Sequence, residues 1–327
     1  MSNSIHALLT GALHNGNMGD HALAKAFIAQ HNDHCEKITI LGDSHPDLIS
    51  LNKSVVSVPP FAIGKRFWYG WRERNKTIKL LEKQNPNLFR TYVWVGGVIG
   101  KNIYHLRSRY EELKWQSTFC NKFIYYFGDV GAGFNEGDNV PISQKIIGKL
   151  NSINSWISVR SDEAAAILVN SGIKVPVHTG LDAVLFDRAT RYGIPFKRRI
   201  DDSGAISIIV CHYRAREFID IWQAAAASAV KLNLKVYWIS LCDSEDLSLC
   251  QKLANDFQAD FPQHPMEVVK GVNGEEKIAE SSICVATRLH GCIFSLTSGI
   301  PTIAIPYGAK IDRLFDFLSL NEWVANP

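Results

Sequence analysis

Residues 276–310 read EKIAESSICVATRLHGCIFSLTSGIPTIAIPYGAK, and their order of elements decides the fold class. A helical stretch leads into the apolar run ICVAT, which breaks at Arg288-Leu289-His290-Gly291. A run of small and apolar residues then passes through Gly299-Ile300-Pro301 into a second apolar run, TIAIP. Helix, strand, helix, strand in so short a span is the unit of a parallel sheet covered on both faces.

The same alternation extends in both directions. Upstream lie AISIIVCHY, REFIDIWQAAAASAVKLN, LKVYWISL, SEDLSLCQKLANDF and MEVVKG; downstream lies IDRLFDFL. This predicts a second α/β unit of about four strands. Earlier in the chain, SIHALLTGA, KITILG, TYVWVGG, KFIYYFG and SWISVR read as strands. HALAKAFIAQH, RYEELKWQSTFC and SDEAAAILVNSG read as the helices between them. The polar, Gly- and Pro-bearing stretch FDRATRYGIPFKRRIDDSG interrupts the pattern. The expected plan is two Rossmann-like, doubly wound α/β domains facing a cleft, a GT-B-like architecture. Its divisions are residues 1–188, a linker at 189–203, and residues 204–327.

Composition narrows the classes. The 327 residues carry 35 Lys+Arg against 32 Asp+Glu, with 46% hydrophobic residues. That excludes disorder, collagen-like repeats and coiled coils, and argues against a dedicated nucleic-acid binder. No apolar run is long enough to span a membrane, and the amino terminus has no basic leader region, so a cytoplasmic protein is expected. The seven cysteines are scattered without a CxxC pair, several inside apolar runs, as reduced buried thiols are. No disulfide, zinc site or other metal cluster is expected.

Candidate chemistry gathers at predicted strand ends. After the first strand, HNGNMGDHALA offers Asn17, Gly19 and Asp20 in a loop that opens a helix; it reads as an anion- or sugar-holding loop or as a plain capped βα turn. Gly96 and Gly97 close the strand TYVWV, where backbone N–H groups line a pocket or simply turn. Arg160 ends SWISV ahead of Ser161 and Asp162. It reads as a two-pronged anion contact or as the ion-pair partner of Asp162 or Glu163. Arg288 and His290 leave the strand ICVA with Leu289 between them. An extended chain puts both polar side chains on one side, at the edge where open α/β sheets bind ligands. His212 and Arg214 follow AISIIV and face the same expected cleft.

GNMGDHALA, the Gly pair after a buried strand, SVRSDEAA, TGLDAVLF and TRLHGCIFSLTSGIPTIAIPYGAK, in this order, resemble the polysaccharide pyruvyl transferase family from about residue 11 to 318. The resemblance implies a GT-B-like fold and transfer of a pyruvyl group from phosphoenolpyruvate to a sugar, as a cyclic ketal. It implies that Arg160 and Arg288 hold phosphoenolpyruvate, that His290 is the general acid/base, and that Tyr307 and Lys310 flank the phosphate. Asp182 matches a recurring acid, read as structural. The family pattern makes the carboxyl end look short. Chemistry agrees with these roles: a carboxylate and a phosphate close together require fixed cations, and imidazole moves protons near neutral pH.

The implied acceptor is a hexose in a surface-polysaccharide precursor, with phosphoenolpyruvate as a substrate and no cofactor. Residues 64–79, GKRFWYGWRERNKTIK, mix six basic residues with four aromatics. This suits an anionic membrane face, a diphosphate-linked lipid carrier or sugar stacking, and equally an ordinary surface helix. Two rivals stay open. A nucleotide-sugar glycosyltransferase would take Glu275, Glu276 or Glu280 for its ribose; a non-catalytic glycan-binding protein would need no proton-transfer group.

Overall fold

The computed structural model describes residues 5–10, 16–31, 35–41, 48, 55–58, 91–96, 98–99, 113, 120–130, 144–192 and 204–325. Two compact units emerge. One comprises Met1–His14 and Asp20–Val184; the other comprises Asn15–Gly19 and Leu185–Pro327. Division by contact therefore falls after Val184, and the loop Asn15–Gly19 belongs with the second unit. The strip 64–79, Gly97, and most of the interruption and of RYEELKWQSTFC lie outside the described residues.

In the first unit the strands are β1 (Ile5–Thr10), β2 (Cys35–Leu41), β3 (Val55–Val58), β4 (Thr91–Val95), β5 (Val98–Ile99), β6 (Lys122–Val130), β7 (Asn154–Val159) and β8 (Val177–Thr179). Their order is β3-β2-β1-β4-β6-β7-β8, with β5 also paired to β6, and every pairing is parallel. The helices are α1 (Met18–His31), α2 (Gln144–Ser152) and α3 (Asp162–Asn170), while α4 (Ala183–Tyr192) begins here and belongs from Leu185 onward to the second unit. The central strand β4, TYVWV, is buried at every residue, as a strand covered on both faces must be. The order reverses between β1 and β4, the topological position at which open parallel sheets generally bind ligands.

Among the described residues the second unit has five strands, one for each apolar run quoted above and one more than the four or so expected. They are β9 (Ala205–Ile209), β10 (Lys235–Ile239), β11 (Met266–Val269), β12 (Ile283–Ala286) and β13 (Thr302–Ala304), in the parallel order β11-β10-β9-β12-β13. Its helices are α5 (Ala215–Lys231), α6 (Asp243–Asp260), α7 (Gly271–Ala279), α8 (Leu289–Thr297) and α9 (Ala309–Phe317). On α5, Phe218, Trp222, Ala226 and Ala229 repeat at helical spacing and are buried. Trp222 Nε1 donates to Thr287 Oγ1 at 2.9 Å, which fixes the residue just beyond β12. Here the reversal falls between β9 and β12. The last described residues return to β13, with Ala325 N–H donating to Ala304 O at 2.8 Å.

This is the expected α/β class, two parallel sheets with alternating helices. Among the described residues no helix is long and apolar enough to cross a membrane.

Candidate active site

In the second unit the two strand ends at the reversal carry the expected chemistry. After β9 the chain runs through Cys211, His212 and Tyr213 to Arg214, whose φ of 55° turns it into α5. After β12 comes Arg288, extended and serving as the N-cap of α8. His290 is thus in the first turn of that helix, not on an extended chain, because helix formation starts at Leu289. Leu289 is buried at the core, in keeping with its apolar side chain.

Arg288 is clamped by two acids from the first turn of α6. Its Nε donates to Asp246 Oδ2 at 2.9 Å, and its Nη2 donates to Asp246 Oδ1 at 2.7 Å and to Glu245 Oε2 at 2.9 Å. Asp246 is wholly buried, and a carboxylate there is tenable only when so paired. Asp246 Oδ1 also accepts the backbone N–H of His212 at 3.0 Å and faces its Nδ1 at 3.3 Å. Tyr213 donates its hydroxyl to Glu245 Oε1 at 3.1 Å.

Charge follows from these contacts. Burial pushes the Glu245 carboxyl up, but the bond and charge of Arg288 outweigh it and hold it below the usual value. Burial opposes the charge on Arg288, yet Cys211 and Asp246 beside it keep the guanidinium pKa well above its ordinary value. Burial lifts the Cys211 thiol to about 11 and raises the Tyr213 phenol, the latter helped by Glu245.

An aromatic column extends the cluster. Arg288 lies over the Tyr213 ring, 5.5 Å from its centroid; Tyr213 stacks with Tyr307 at 6.2 Å; Lys310 Nζ lies 4.6 Å over Tyr307. Tyr307, Lys310, His212 and Arg288 are therefore brought together. Arg214 turns instead onto its own helix, its Nε donating to Glu217 at 2.8 Å.

The loop HNGNMGD divides its roles between the units. Met18 N–H donates to Leu241 O at 2.9 Å, and Asn17 forms a bridge with Cys242. Gly19 N–H donates to Asn17 Oδ1 at 3.0 Å. A β-carbon on Gly19 would fall 2.7 Å from Cε1 and 2.8 Å from Cγ of His290, and nearer still to Nδ1. Glycine at 19 is what allows the imidazole to lie there. Asp20 belongs to the first unit, where its Oδ1 fills the space a side chain on Gly96 would need. Gly96 has a φ of 61°, so the residue is doubly constrained to glycine.

Arg160, also in the first unit, pairs with Asp182. Its Nη1 donates to Asp182 Oδ2 at 3.0 Å, while Asp182 Oδ1 accepts Val184 N–H at 2.9 Å and caps α4. Asp182, read from sequence as structural, is tied both to Arg160 and to the start of α4.

Glu245, Asp246 and Tyr213 carry no signal that picks them out in sequence. Acids in a first helical turn ordinarily answer the helix dipole, and only the sheet order brings them to Arg288. The ligand atoms of His212, Glu245 and Asp246 lie within 4.8 Å of one another, a spacing that suits a metal ion. The Arg288 guanidinium already supplies positive charge to both of these carboxylates. Glu275 bonds to Arg188, and Glu280 accepts from Lys277 Nζ at 2.7 Å.

The family profile of the polysaccharide pyruvyl transferases matches residues 17–308, from the GNMGD loop to the end of the TIAIPYG run. The chain belongs to that family. A polysaccharide pyruvyl transferase is a transferase of polysaccharide biosynthesis, and this membership is consistent with the charged strand ends just described. No curated protein matches the chain in sequence. Among solved structures it is similar to a putative UDP-N-acetylglucosamine 2-epimerase from Listeria monocytogenes. That likeness has 12% identity and a TM-score of 0.55, over 98% of this chain and 90% of that one. It is also similar to a glycosyltransferase from Rickettsia africae, with 14% identity, a TM-score of 0.50, and 94% and 81% of the two chains covered. At these identities the likeness shows the GT-B-like fold alone.

Proposed function

We propose that this pyruvyl transferase takes the pyruvyl group of phosphoenolpyruvate and sets it on a hexose of a surface-polysaccharide precursor as a cyclic ketal, releasing phosphate. The observation that carries the reading is the seating of Arg288 and His290 at one strand end of the second unit. The guanidinium is clamped by buried Asp246, and the imidazole is packed on Gly19.

A sugar hydroxyl attacks C2 while C3 accepts a proton; phosphate then departs and a second hydroxyl closes the ring. Arg288, with Lys310 across the stacked rings of Tyr213 and Tyr307, supplies fixed positive charge for the anionic donor and the leaving phosphate. His290 gives the proton to C3 and takes one back at ring closure. The donor role of Arg160 rests on the sequence resemblance alone. Acceptor contacts at Asn17 and Asp20 rest on the same resemblance, that at Arg214 on its place after β9, and a lipid-diphosphate carrier on the basic and aromatic composition of residues 64–79. Of the acids the nucleotide-sugar rival would use for a ribose, Glu275 is paired with Arg188 and Glu280 with Lys277.

The test is incubation with phosphoenolpyruvate, a UDP-sugar and defined galactosides. Acceptor-dependent phosphate release, with a pyruvate ketal on the acceptor by mass spectrometry, is the expected result. Release of UDP supports the glycosyltransferase instead, and glycan binding without turnover supports a lectin-like protein. Chelation should leave the rate unchanged, since no step is assigned to a metal.

A further inference from the structure

Resting on the reading above, we infer a second catalytic residue: His212, oriented by Asp246, is the base that takes the proton from the attacking acceptor hydroxyl. Ketal formation requires proton transfers of opposite sense in its first step, one onto C3 and one off the hydroxyl. A single imidazole cannot be charged and neutral at once. The second unit places two histidines, one after β9 and one after β12, on adjacent strands at the reversal of its sheet.

The geometry around His212 is that of an oriented base. Asp246 is buried, and its Oδ1 receives the His212 backbone N–H at 3.0 Å and faces ring Nδ1 at 3.3 Å. The main-chain bond fixes where the ring starts, and the carboxylate favours the tautomer with the proton on Nδ1. That leaves the lone pair on Nε2. A buried carboxylate behind one ring nitrogen and a substrate before the other is the arrangement that makes imidazole a base in hydrolytic triads. The ring is packed against Tyr213, 3.7 Å between centroids, yet its side chain is 37% exposed, and no described residue bonds to Nε2.

Proximity to the donor comes from the same carboxylate. Asp246 also holds Nε and Nη2 of Arg288, so an anion on that guanidinium lies one side chain away from His212. Asp246 and Glu245 from α6 face the ring and Tyr213 from its own turn packs on it, while Arg288 from the end of β12 is held by the same Asp246. Glu245 Oε2 lies 3.7 Å from Nδ1.

The step balances. The hydroxyl O–H bond breaks and its proton goes to His212 Nε2, while the oxygen forms a bond to C2. The C2–C3 π pair takes a proton from protonated His290. Phosphate leaves C2 with the C–O electron pair and receives the proton held by His212. The second hydroxyl then bonds to C2, and its proton restores His290. Nothing is oxidised or reduced.

The experiment uses the full chain with phosphoenolpyruvate and an accepted galactoside, and two readouts. One is kcat for acceptor-dependent phosphate release; the other is phosphoenolpyruvate binding by calorimetry without acceptor. His212→Gln should lower kcat by about 10²–10⁴-fold with donor affinity unchanged. Asp246→Asn should lower both, because it loosens Arg288 as well as the ring. A residue of merely structural role would disturb donor binding and melting temperature along with kcat, so the split is diagnostic. His212→Asn serves if the Gln variant does not fold. Wild-type turnover beside a His212→Gln enzyme of undiminished kcat overturns the assignment of His212 alone. Failure of the wild type to release phosphate with any acceptor overturns the pyruvyl-transfer reading, and this inference with it.

Discussion

At the scale of single residues, Gly19 and Glu245 show how neighbours govern the chemistry of named side chains. Gly19 is the cleaner case, because its Cα faces the His290 ring and a methyl group there must displace the imidazole. Gly19→Ala should lower kcat by about 10²-fold, the cost of misplacing a reacting group by about 1 Å, while phosphoenolpyruvate binding stays near wild type. Phosphate-release kinetics beside calorimetry check both halves of that expectation. Arg288→Lys should be worse than its charge suggests, since Lys cannot meet Asp246 and Glu245 with a planar fork; a large rise in KM for the donor is the expected sign. Glu245 makes a pH prediction. Its carboxyl is held below the ordinary value of 4.5, so its contribution to stability is complete above that pH. It is lost as pH falls through the lowered, folded value. Glu245→Gln should therefore be less stable than wild type near pH 6, with the gap narrowing as the pH falls below the ordinary value of 4.5 in urea titrations. A gap that widens on acidification would show that the Arg288 contact does not set the titration.

Elements explain which of these residues sequence could reach. The strand ends were legible because a buried parallel strand is a continuous apolar run, and the first polar residue after it marks the edge that binds ligands: Arg160 after SWISV, His212 after AISIIVC, Arg288 after ICVAT. The partners of those residues were not legible, since Asp246 lies 42 positions from Arg288 and Asp182 lies 22 from Arg160. Nor was the first turn of α8, where Arg-Leu-His reads as a strand tail until the helix hydrogen bond from Cys292 N–H to Arg288 O, 3.1 Å, is known. The short β3 and β8 were missed because three or four residues hold too few alternations to register a period. Asp182 carries a prediction at this scale. It joins the end of β7 to the start of α4 by holding Arg160 and capping Val184, with both side chains of the ion pair mostly buried. Asp182→Ala should destabilise the protein by about 3–5 kcal/mol in denaturant, since it removes the carboxylate paired with a mostly buried guanidinium together with the helix cap. Asp182→Asn should cost less, because the amide oxygen still caps the helix.

For the whole molecule, the near-neutral charge average conceals a division of labour between the two units. The first sets Asp20 against Gly96 and Arg160 against Asp182; the second gathers Arg288, His212, Tyr213, Tyr307 and Lys310 around two acids and takes Asn15–Gly19 with it. The GNMGD motif is split between the units after its fourth residue, which no spacing argument reveals, because the units are defined by packing and not by order along the chain. Cysteine reports on that packing directly. All seven cysteines are buried: Cys35 and Cys120 in the first unit, and Cys211, Cys242, Cys250, Cys284 and Cys292 in the second. Burial lifts Cys211 to about 11 and both Cys242 and Cys284 to about 12, so little thiolate exists in the folded state even where a reagent reaches the sulfur. Native protein at neutral pH should therefore react with a thiol reagent far more slowly than a free cysteine. The five thiols of the second unit, lying in or beside one sheet, should become reactive together across a single denaturant transition. Mass spectrometry of pulse-labelled peptides resolves each cysteine. Labelling of Cys211 before the other four would show that the turn carrying His212 opens apart from the sheet that carries Arg288, and would count against a site held ready before the donor arrives.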